Sequence, residues 1–401
     1  MNRQSQTRAL KSPFSLPRLF TIATAASTLV LLLIGSVQAQ SPAPSAAQTA
    51  GVRTEQVTTG LSNPWGMAFL PGGRMIVTER PGRMRVVEAD GKLSAPLTGL
   101  PAVAAQGQGG LLDVITDREF ASNRTLYFCF NEPGTGDSSN VWGTALARAQ
   151  LSADNRGLEN VRVIWRMAKK TSARHHFGCR IVEAADGTLY MGTGDRGAQD
   201  RSQDMSDTAG KMIRVNKDGS IPKDNPFLAR TGVPGEIFSA GHRNIQGAAF
   251  NPADGKLWAH EHGPQGGDEL NLVEAGKNYG WPTITYGRQY VTGLRIGEGT
   301  EKAGMEQPVK MWGPTSIAPS GLAFLTSDRY GAQWKGSAFV GALRERAVMR
   351  IQLNGNKIVS EEVILKDANE RIRDVRQGPD GLLYVLADDA DNGRVLRILP
   401  R

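Results

Sequence analysis

The sequence predicts an all-β protein, a six-bladed β-propeller of four-stranded antiparallel sheets, and three observations point to this fold. The chain has 401 residues, of which 40% are hydrophobic and 21% charged, as is typical of a globular protein with a sizeable core. A glycine-containing turn followed by a short, alternating apolar strand recurs along the chain. Neither a 3.6-residue apolar period nor sustained heptads occur, which excludes helical solenoids and coiled coils.

The first fifty residues differ in composition from the rest. Four basic side chains precede an apolar run from Phe20 to Gly35, which leads to Val37-Gln38-Ala39, the pattern of a secretory signal peptide. Residues 1–39 are therefore expected to be removed after Ala39. Residues 40–50, rich in Ser, Ala, Pro and Gln, are expected to form a flexible mature N-terminus. An uncleaved anchor is the alternative, but the run is short and contains several Ala, Ser and Thr residues.

The mature chain is expected in the periplasm. It has no second apolar segment long enough to span a bilayer, so no stable membrane span is expected. Removal of residues 1–39 lowers the formal net charge from +8 to +4, which is too small to indicate nucleic-acid binding. No boundary is visible within residues 51–401, which are expected to form a single propeller domain.

The recurring motif defines the blades. Four clear copies and two degenerate ones occupy residues 70–77, 185–191, 253–258 and 379–385 and, less clearly, 122–127 and 335–340. Their spacing fits four-stranded blades with enlarged loops. A pair of β-sandwiches is the alternative, but its turns would recur about every 8 to 12 residues without a shared motif. A strand at 52–59 is expected to pair with 394–399, which closes the ring and removes the open sheet edge.

The histidines are clustered along the chain. All of them lie within residues 175–262, in segments that lead into or out of blade strands: His175, His176, His242, His260 and His262. Propellers carry their chemistry on loops at one mouth of the channel, so the clustering indicates a site, although any single histidine could be a buried structural residue. Of the adjacent pair, one is expected to face the channel and to act as a general base toward a hydroxyl group.

Two further segments carry groups suited to an oxygen-rich ligand. Arg243 and Asn244 lie at a glycine-bounded bend, where both side chains could address ligand oxygens, unless Arg243 is a surface residue in a turn. The loop at 260–269 is rich in glycine, carboxylates and backbone carbonyls, which favours Ca²⁺. His260 and His262 should face the same side and would suit zinc, but no cysteine or further carboxylate completes a zinc set.

Two arginines near the C-terminus indicate an anionic ligand. Arg371 and Arg373 are two residues apart on an extended segment, so they point the same way. Parallel guanidinium groups are costly to bring together unless an anion lies between them, which implies a ligand with several carboxylates or phosphates. The alternative is that both are solvated and paired with Glu370 and Asp374.

Eight motifs occur in the order typical of one family. They are the segments at 64–69, 107–113, 176–178, 194–197, 241–244, 261–264, 278–282 and 371–374. With these motifs, nearly the whole mature chain resembles the soluble aldose sugar dehydrogenases that use pyrroloquinoline quinone, the glucose/sorbosone dehydrogenase-like propellers. The resemblance implies an enzyme that oxidises the C1 hydroxyl of an aldose to the lactone, with pyrroloquinoline quinone and Ca²⁺ as cofactors.

The resemblance also implies roles for individual residues. His176 is the implied general base, and Arg243 the second implied catalytic residue. The implied cofactor contacts are Gln108, Arg243, Asn244, Tyr290, Ala318, Pro319, Ser320, Leu343, Arg344, Arg371 and Arg373. The implied calcium ligands are the backbone oxygens of Gly263 and Pro264 for the catalytic ion, and Glu269 and Tyr279 for a second, structural ion.

Three positions depart from the family pattern. Arg344 stands where the glucose-oxidising members carry a lysine, and Ser316 replaces a threonine before the loop at 317–320. Cys179 stands where a glycine is usual. Because the protein is expected to be exported and Cys129 falls on a strand of blade 2, the hypothesis is a disulfide between neighbouring blades, with two buried free cysteines as the alternative. The substrate loops are short, which favours a broad range of aldoses.

Two other function classes stay open. A calcium-dependent lactonase on a six-bladed propeller would need Asn, Asp and Glu side chains around the metal and no arginine cluster. A non-catalytic binding propeller would have no reason to gather His176, Arg243, Arg371 and Arg373. The expected partners are a small aldose and a diffusible or protein electron acceptor, and the expected state is a monomer or homodimer. The sequence contains no Cys-x-x-Cys-His motif, so it gives no indication of a haem.

Overall fold

The structure, a computed structural model, describes residues 51–401. It confirms the six-bladed β-propeller, with six antiparallel sheets that follow one another along the chain. The expected signal peptide at 1–39 and the segment at 40–50 lie outside the described residues. Within residues 51–401, the helices are all too short and too polar to cross a membrane.

Strands are numbered along the chain, and blades are numbered in the order in which their innermost strands occur, beginning with β2. Blade 1 contains β2 (Pro64–Leu70), β3 (Arg74–Glu79) and β4 (Arg83–Val87). Blade 2 contains β5 (Leu111–Thr116), β6 (Thr125–Pro133), β7 (Trp142–Leu151) and β8 (Leu158–Arg166). Blade 3 contains β9 (Gly178–Glu183), β10 (Leu189–Thr193), β11 (Lys211–Val215) and β12 (Ile237–Ala240). Blade 4 contains β13 (Ile245–Phe250), β14 (Leu257–Glu261), β15 (Asp268–Val273) and β16 (Lys310–Trp312). Blade 5 contains β17 (Pro319–Phe324), β18 (Ala338–Ala342), β19 (Ala347–Asn354) and β20 (Lys357–Ile364). Blade 6 contains β21 (Ile372–Gln377), β22 (Leu383–Ala387), β23 (Gly393–Pro400) and β1 (Val52–Leu61).

Helical structure is confined to short connections in the described chain. It consists of one α-helical turn, α1 (Phe120–Asn123), and three 3₁₀ turns at Gly136–Ser138, Gln199–Ser202 and Lys366–Ala368.

Blade 1 differs from the other five, because its sheet has three regular strands and theirs have four. The fourth position is held by the irregular segment 93–97, where the amide of Ser94 donates to Val86 O and that of Leu97 to Met84 O, each at 2.8 Å. Pro96 lies within this segment and has no amide hydrogen, so a continuous ladder cannot form there.

Each copy of the recurring motif leads into the second strand of a blade, as its local pattern predicts. The turns need a residue with positive φ, and glycine supplies it at little cost, as at Gly187 (φ 82°) and Gly381 (φ 79°). In the degenerate copy before β6, Arg124 takes this conformation with φ 52°. The motif is degenerate there in sequence but not in backbone geometry.

The ring closes between the two ends of the described chain. β1 pairs antiparallel with β23, with Val52 opposite Pro400 and Leu61 opposite Gly393. This confirms the pairing expected for 52–59 with 394–399. Blade 6 is therefore built from both ends of the chain, and the sheet edge that β23 would otherwise expose is covered.

Apolar side chains fill the spaces between neighbouring blades. Between blades 1 and 2, for example, Ile76, Met84, Phe128 and Phe130 are fully buried in one cluster. Each such side chain contributes roughly 1.5–3 kcal/mol when it leaves water. The packing of blade on blade thus holds the first strands in a ring around the central channel.

A disulfide joins blades 2 and 3, as hypothesised. It links Cys129 on β6 to Cys179 on β9, with the two Cα atoms 5.8 Å apart and both side chains buried. Cys179 has φ 84°, a left-handed conformation that favours glycine, which accounts for the glycine expected at this position.

Four charged side chains cross the middle of the channel, three of them fully buried and that of Arg376 partly exposed. Arg180 pairs with Asp113 at 3.0 Å and with Asp374 at 2.9 Å, and Arg376 pairs with the same two carboxylates at 2.9 Å each. We call these four residues the channel cluster. Because two cations face two anions with good hydrogen-bond geometry, the cost of burying each charge is offset. The cluster separates a cavity above it from one below it.

Candidate active site

The mouth of the channel at which the first strands of the blades begin holds a cavity of about 360 Å³, called here the upper cavity. Its walls are mostly polar. They consist of Trp65, Arg80, Gln108, Leu112, Phe177, Gly178, Asn244, Gln246, His262, Ala318, Leu343, Arg371, Arg373 and Asp388. Six residues implied from the sequence as cofactor contacts therefore lie together in these walls: Gln108, Asn244, Ala318, Leu343, Arg371 and Arg373.

His176 lies directly before the two lining residues Phe177 and Gly178. Its backbone amide donates to Oε1 of Gln108 at 3.0 Å, and its own backbone has φ 55°. The imidazole is 14% exposed, whereas the ring of His175 is exposed and meets it edge-on, with 4.6 Å between the ring centroids. His176 is therefore the largely buried histidine of the pair and adjoins the cavity walls, while its ring is not itself one of the wall groups.

The His176 imidazole is held by a buried carboxylate. Its Nδ1 lies 2.6 Å from Oδ1 of Asp195, which also accepts the amide of Gly197 at 2.7 Å. The other oxygen of Asp195 accepts Nε1 of Trp281 at 2.9 Å. An ionised carboxylate can only accept, so Nδ1 carries the hydrogen and the lone pair is on Nε2.

The surroundings keep this pair in the required charge states. Burial lowers the pKa of the His176 imidazole below its ordinary value of 6.5; Asp195 opposes this shift and the charge of Arg243 adds to it. Burial raises the pKa of the Asp195 carboxyl, but the hydrogen bond from His176 and the charge of Arg243 outweigh it, so the net shift is downward. At neutral pH the imidazole is neutral and the carboxylate ionised, which suits a general base.

Arg243 reaches the glycine-rich loop behind the cavity. Its Nη1 donates to the carbonyls of His262 at 2.8 Å and Gly263 at 2.7 Å, and its guanidinium lies 5.3 Å from the ring centroid of Trp281. The buried Nε has no partner among residues 51–401. Arg243 is 7% exposed, so it is not a surface residue in a turn.

Glu261 fixes the bend that carries Arg243 and Asn244. Its carboxylate accepts the backbone amides of both residues and lies 3.1 Å from Nδ1 of His242. The side-chain oxygen of Asn244 accepts the amide of Gly178 at 3.0 Å, and Asn244 itself lines the cavity. Blades 3 and 4 are joined at this point, next to the candidate base.

Arg371 and Arg373 face the same cavity, as expected from their spacing. Both lie near Oδ2 of Asp388, at 3.6 and 3.4 Å, and Arg373 also donates to Gln246 at 3.2 Å. The expected alternative partners are engaged elsewhere, since Glu370 pairs with Arg394 and Asp374 belongs to the channel cluster. Burial lowers the pKa of the Arg373 guanidinium, and its Nε has no partner in the described chain.

The two loop histidines turn toward the same neighbouring strand. Nε2 of His262 lies 2.7 Å from Pro319 O, and Nε2 of His260 lies 3.4 Å from Gly321 O, both on β17. Burial lowers the pKa of each imidazole to about 3. Within residues 51–401, no group of three or more His, Cys, Asp or Glu side chains is arranged to hold a metal ion. The described residues therefore give no support to the zinc site that was considered for His260 and His262.

The implied calcium ligands lie in two separate places. Gly263 is buried in the loop after β14, where its amide donates to Asp268 at 3.0 Å and its carbonyl accepts Arg243; Pro264 follows it and is also buried. Glu269 is half-buried on β15, where desolvation of its carboxyl and the charge of Glu261 raise its pKa well above the ordinary value.

Tyr279 packs near this second group through its ring. The ring stacks on His242 with 4.7 Å between centroids. The hydroxyl donates to Leu272 O at 2.5 Å and accepts the amide of Glu274 at 2.9 Å. The hydroxyl is therefore engaged with backbone, and no hydrogen bond in residues 51–401 joins it to Glu269.

Five of the implied cofactor contacts lie outside the walls of the upper cavity: Arg243, described above, and four others. Tyr290 is 61% exposed on the long loop of blade 4, and Arg344 is exposed next to the lining residue Leu343. Pro319 accepts the hydrogen bond from His262 described above. The hydroxyl of Ser320 donates to Ile372 O at 2.6 Å and is fully buried.

Sequence reasoning gave no role to several residues of this site. Asp195, which holds the base, and Trp281, which donates to Asp195, belong to the motifs at 194–197 and 278–282, so the signal was present but the meeting of these motifs at His176 was not visible. Trp65 likewise belongs to the motif at 64–69. Arg80 and Asp388 lie just after the second strands of blades 1 and 6, at the same mouth as the other lining residues.

Comparison with known proteins shows which family the chain resembles. A family model described as Glucose / Sorbosone dehydrogenase matches residues 61–397. The chain is 43% identical over 358 residues to "Aldose sugar dehydrogenase YliI" of Escherichia coli (strain K12), which covers 88% of this chain and 95% of the relative. It is 26% identical over 413 residues to "Quinoprotein glucose dehydrogenase B" of Acinetobacter calcoaceticus, covering 84% of this chain and 85% of the relative.

Solved structures show the same likeness. The apo-form of the soluble aldose sugar dehydrogenase from Escherichia coli matches with a TM-score of 0.83 and 43% identity, over 87% of this chain and 100% of that one. The PQQ-bound aldose sugar dehydrogenase from Streptomyces coelicolor matches with a TM-score of 0.70 and 29% identity, over 87% and 99%. Family model, sequence identity and fold together show that this chain belongs to the glucose/sorbosone dehydrogenase family.

Proposed function

We propose that this protein oxidises the C1 hydroxyl of aldose sugars to the lactone, with pyrroloquinoline quinone and Ca²⁺ as cofactors. The observation that carries the proposal is the His176–Asp195 pair, at 2.6 Å, beside a cavity lined with arginines. The names of the relatives support it, since they include aldose sugar dehydrogenases, a quinoprotein and a PQQ-bound structure.

His176 is proposed as the general base. With Nδ1 held by Asp195, its Nε2 lone pair is the one available to a sugar hydroxyl. As the C1 hydroxyl loses its proton to Nε2, the C1 hydrogen leaves with its bonding electron pair and the C1–O bond becomes the lactone carbonyl. The ionised Asp195 stabilises the imidazolium that forms. When bound, pyrroloquinoline quinone would supply the two-electron acceptor and Ca²⁺ the Lewis acid that polarises its C5 carbonyl.

The upper cavity fits an anion with several carboxylates. Its walls hold three guanidinium groups, those of Arg80, Arg371 and Arg373, and one carboxylate, that of Asp388. The Nε atoms of Arg243 and Arg373 are buried without partners in the described chain, although a buried donor normally has one. Arg371 and Arg373 are proposed to pair with the carboxylates of pyrroloquinoline quinone.

The remaining cofactor contacts are proposed in two groups. The first lines the cavity already: Gln108, Asn244, Ala318 and Leu343. The second, with Pro319, Ser320, Tyr290 and Arg344, lies beyond the walls, and of these Tyr290 and Arg344 would have to turn inward to reach a bound cofactor. Arg243 stands between the base and the loop at 262–264, where it can address both a cofactor oxygen and a substrate oxygen.

Calcium is proposed at two sites whose donors fit a hard cation. Backbone carbonyls suit Ca²⁺, and those of Gly263 and Pro264 would hold the catalytic ion. The Gly263 carbonyl accepts Arg243 and retains a second lone pair. Glu269, a half-buried carboxylate beside Glu261, and Tyr279, through its backbone oxygen because its hydroxyl is engaged, would hold the structural ion.

The alternative of a calcium-dependent lactonase is disfavoured by the same cavity walls. Such an enzyme would surround its metal with Asn, Asp and Glu side chains, whereas three of the residues that line this cavity are arginines.

The protein is further proposed to act in the periplasm after cleavage at Ala39, and to pass its electrons to a diffusible or protein acceptor. N-terminal sequencing of the exported protein tests the cleavage.

The function is tested by reconstitution of the purified protein with pyrroloquinoline quinone and Ca²⁺. Dye reduction is followed with glucose, galactose and maltose, and cofactor binding is followed separately by absorbance titration. Activity is expected to vanish in His176→Ala and on chelation of Ca²⁺. Absence of both activity and cofactor binding in the unmodified protein would overturn the assignment and favour the lactonase, which is assayed with lactones.

A further inference from the structure

A second cavity lies at the opposite mouth of the central channel. This lower cavity has a volume of about 470 Å³ and is formed by the last residues of the first strands of all six blades. Its walls are largely apolar, with Phe69, Ile115, Phe250 and Phe324 among them. Both its size and its apolar walls are those of sites that hold a small molecule.

The channel cluster separates the lower cavity from the candidate active site. Arg180, on the upper side, has its guanidinium 4.6 Å from the ring centroid of Trp65, which lines the upper cavity. Arg376, on the lower side, lines the lower cavity. Since Asp113 and Asp374 bind both arginines and are fully buried, a molecule in the lower cavity does not reach the upper one.

Arg376 brings one free donor to the lower cavity. Its Nε donates to Asp374 and its Nη2 to Asp113, each at 2.9 Å, whereas its Nη1 has no partner among residues 51–401. The side chain is 20% exposed although both carboxylates are fully buried, so the exposed part is the part that faces the cavity. A hydrogen-bond donor in an apolar wall selects a ligand with an acceptor at that point.

The charges around the lower cavity are balanced. Arg376 belongs to the channel cluster of two cations and two anions. The other charged side chains in the walls are Arg118 and Glu183, which pair at 4.0 Å. Glu183 also binds Lys217 at 2.7 Å, and Lys217 binds Asp117 at 2.8 Å, which completes a second set of two cations and two anions. An ionised ligand would bring an uncompensated charge into an apolar space, so a neutral ligand is favoured.

We infer that the lower cavity binds a neutral, largely apolar molecule that carries a carbonyl oxygen, which accepts a hydrogen bond from Nη1 of Arg376. This site goes beyond the proposed sugar oxidation and does not depend on it, because it shares no wall residue with the upper cavity.

Three matched probes test the ligand class: 2-acetonaphthone, which has the carbonyl, naphthalene, which lacks it, and 2-naphthoate, which is charged. Isothermal titration of the purified full-length protein is expected to show saturable binding of one 2-acetonaphthone molecule. Its affinity is expected to exceed that of naphthalene about tenfold or more, since a hydrogen bond to a charged donor is worth at least one tenfold step. The affinity for 2-naphthoate is expected to be lower than that for 2-acetonaphthone.

Two variants locate the binding, and a third tests the hydrogen bond. Ala249→Phe fills the cavity from a half-buried wall position on β13 and is expected to abolish 2-acetonaphthone binding. Ala253→Phe adds the same side chain at an exposed position of the next turn, outside the walls, and should bind as the unmodified protein does. Arg376→Lys keeps the charge opposite both carboxylates but removes the forked guanidinium group and with it the Nη1 donor. The preference for the ketone over naphthalene should therefore disappear.

Any of three results would overturn the inference: no saturable binding of 2-acetonaphthone by the unmodified protein, equal or tighter binding of 2-naphthoate, or unchanged ketone binding in Ala249→Phe. Because Arg376→Lys disturbs the channel cluster, its folding is checked by circular dichroism. If it does not fold, the probe series and the Ala249→Phe and Ala253→Phe pair still decide the question.

Discussion

At the scale of single residues, the acid–base properties of His176 depend on one carboxylate. Asp195 holds the ring by Nδ1 and raises its pKa, while burial and the charge of Arg243 lower that pKa, and the net shift is downward. The neutral form therefore persists below pH 6.5. A sugar dehydrogenase with this base should lose activity only as the pH falls through the lowered pKa.

Asp195→Asn tests this arrangement. We expect kcat to fall by about 10² to 10⁴, because the amide no longer fixes the tautomer or stabilises the imidazolium. The acid limb of the remaining activity should move to lower pH, since the group that raises the pKa of His176 is gone. The measurement is a pH profile of the reconstituted protein, with Asp200→Asn, at an exposed acidic residue of the same loop, as the control. An acid limb at or above pH 6.5 in the unmodified protein would contradict this account.

The arginines of the upper cavity give a second prediction at this scale. Arg80→Ala, Arg371→Ala and Arg373→Ala should each weaken binding of pyrroloquinoline quinone by about 10- to 100-fold, the value of a charge-assisted hydrogen bond. Arg80 is included because it lines the cavity although no sequence argument singled it out. Arg346→Ala, whose side chain binds Asn369 outside the cavity, is the control in the same absorbance titration. Equal affinities for all four variants would show that the cavity arginines do not bind the cofactor.

At the scale of elements, the segment that enters β9 has an unusual backbone. His176, Gly178 and Cys179 have φ values of 55°, 65° and 84°, so three of four consecutive residues are left-handed. For a residue other than glycine this conformation costs roughly 1–2 kcal/mol. The packing of Cys129 and Cys179 between blades 2 and 3 holds the segment, and with it the base, in place.

Cys179→Gly, combined with Cys129→Ala, tests the free-energy cost of the left-handed backbone at position 179 in a protein that lacks the disulfide. We expect the double variant Cys129→Ala, Cys179→Gly to be more stable than Cys129→Ala, Cys179→Ala by about 1 kcal/mol, because glycine adopts φ 84° more readily. Both should be less stable than the unmodified protein by roughly 2–4 kcal/mol. Urea unfolding under non-reducing conditions measures the three free energies. The prediction fails if the alanine variant is the more stable of the two.

At the scale of the whole molecule, stability should depend on pH through buried histidines. The pKa values of His260 and His262 are about 3 in the folded protein and about 6.5 when unfolded, so the unfolded state binds more protons between these values. The stability associated with each neutral imidazole is fully present above pH 6.5 and is lost as the pH falls toward 3. At pH 4.5 each of the two histidines is expected to lower the free energy of unfolding by about 2–3 kcal/mol relative to pH 7.5.

His260→Gln checks this at a position that is fully buried and outside the walls of both cavities. The variant should show a smaller loss of unfolding free energy between pH 7.5 and pH 4.5 than the unmodified protein. His175→Gln, at an exposed histidine, should show the same loss as the unmodified protein. If His260→Gln also keeps the full loss, another group is responsible for the pH dependence.

The amino-acid sequence by itself determined the number of blades, the closure of the ring and the family. Each repeat is a local turn and strand whose geometry depends on adjacent residues, so six copies predict six blades. The irregular edge of blade 1 was not predicted: Pro96 is visible in the sequence, but only the pairing of the segment 93–97 with β4 places that proline at the fourth position of a blade.

Only the tertiary structure decided which side chains meet. Trp281 is 86 residues from Asp195 and Arg180 is 194 residues from Asp374, yet each pair is joined by a hydrogen bond once the ring has closed. The same closure turns Arg371 and Arg373 toward Asp388 rather than Glu370, and leaves Tyr290 exposed. Motifs identify residues one segment at a time, whereas distances between segments follow from the packing of six blades around one channel, and that packing depends on the whole chain at once.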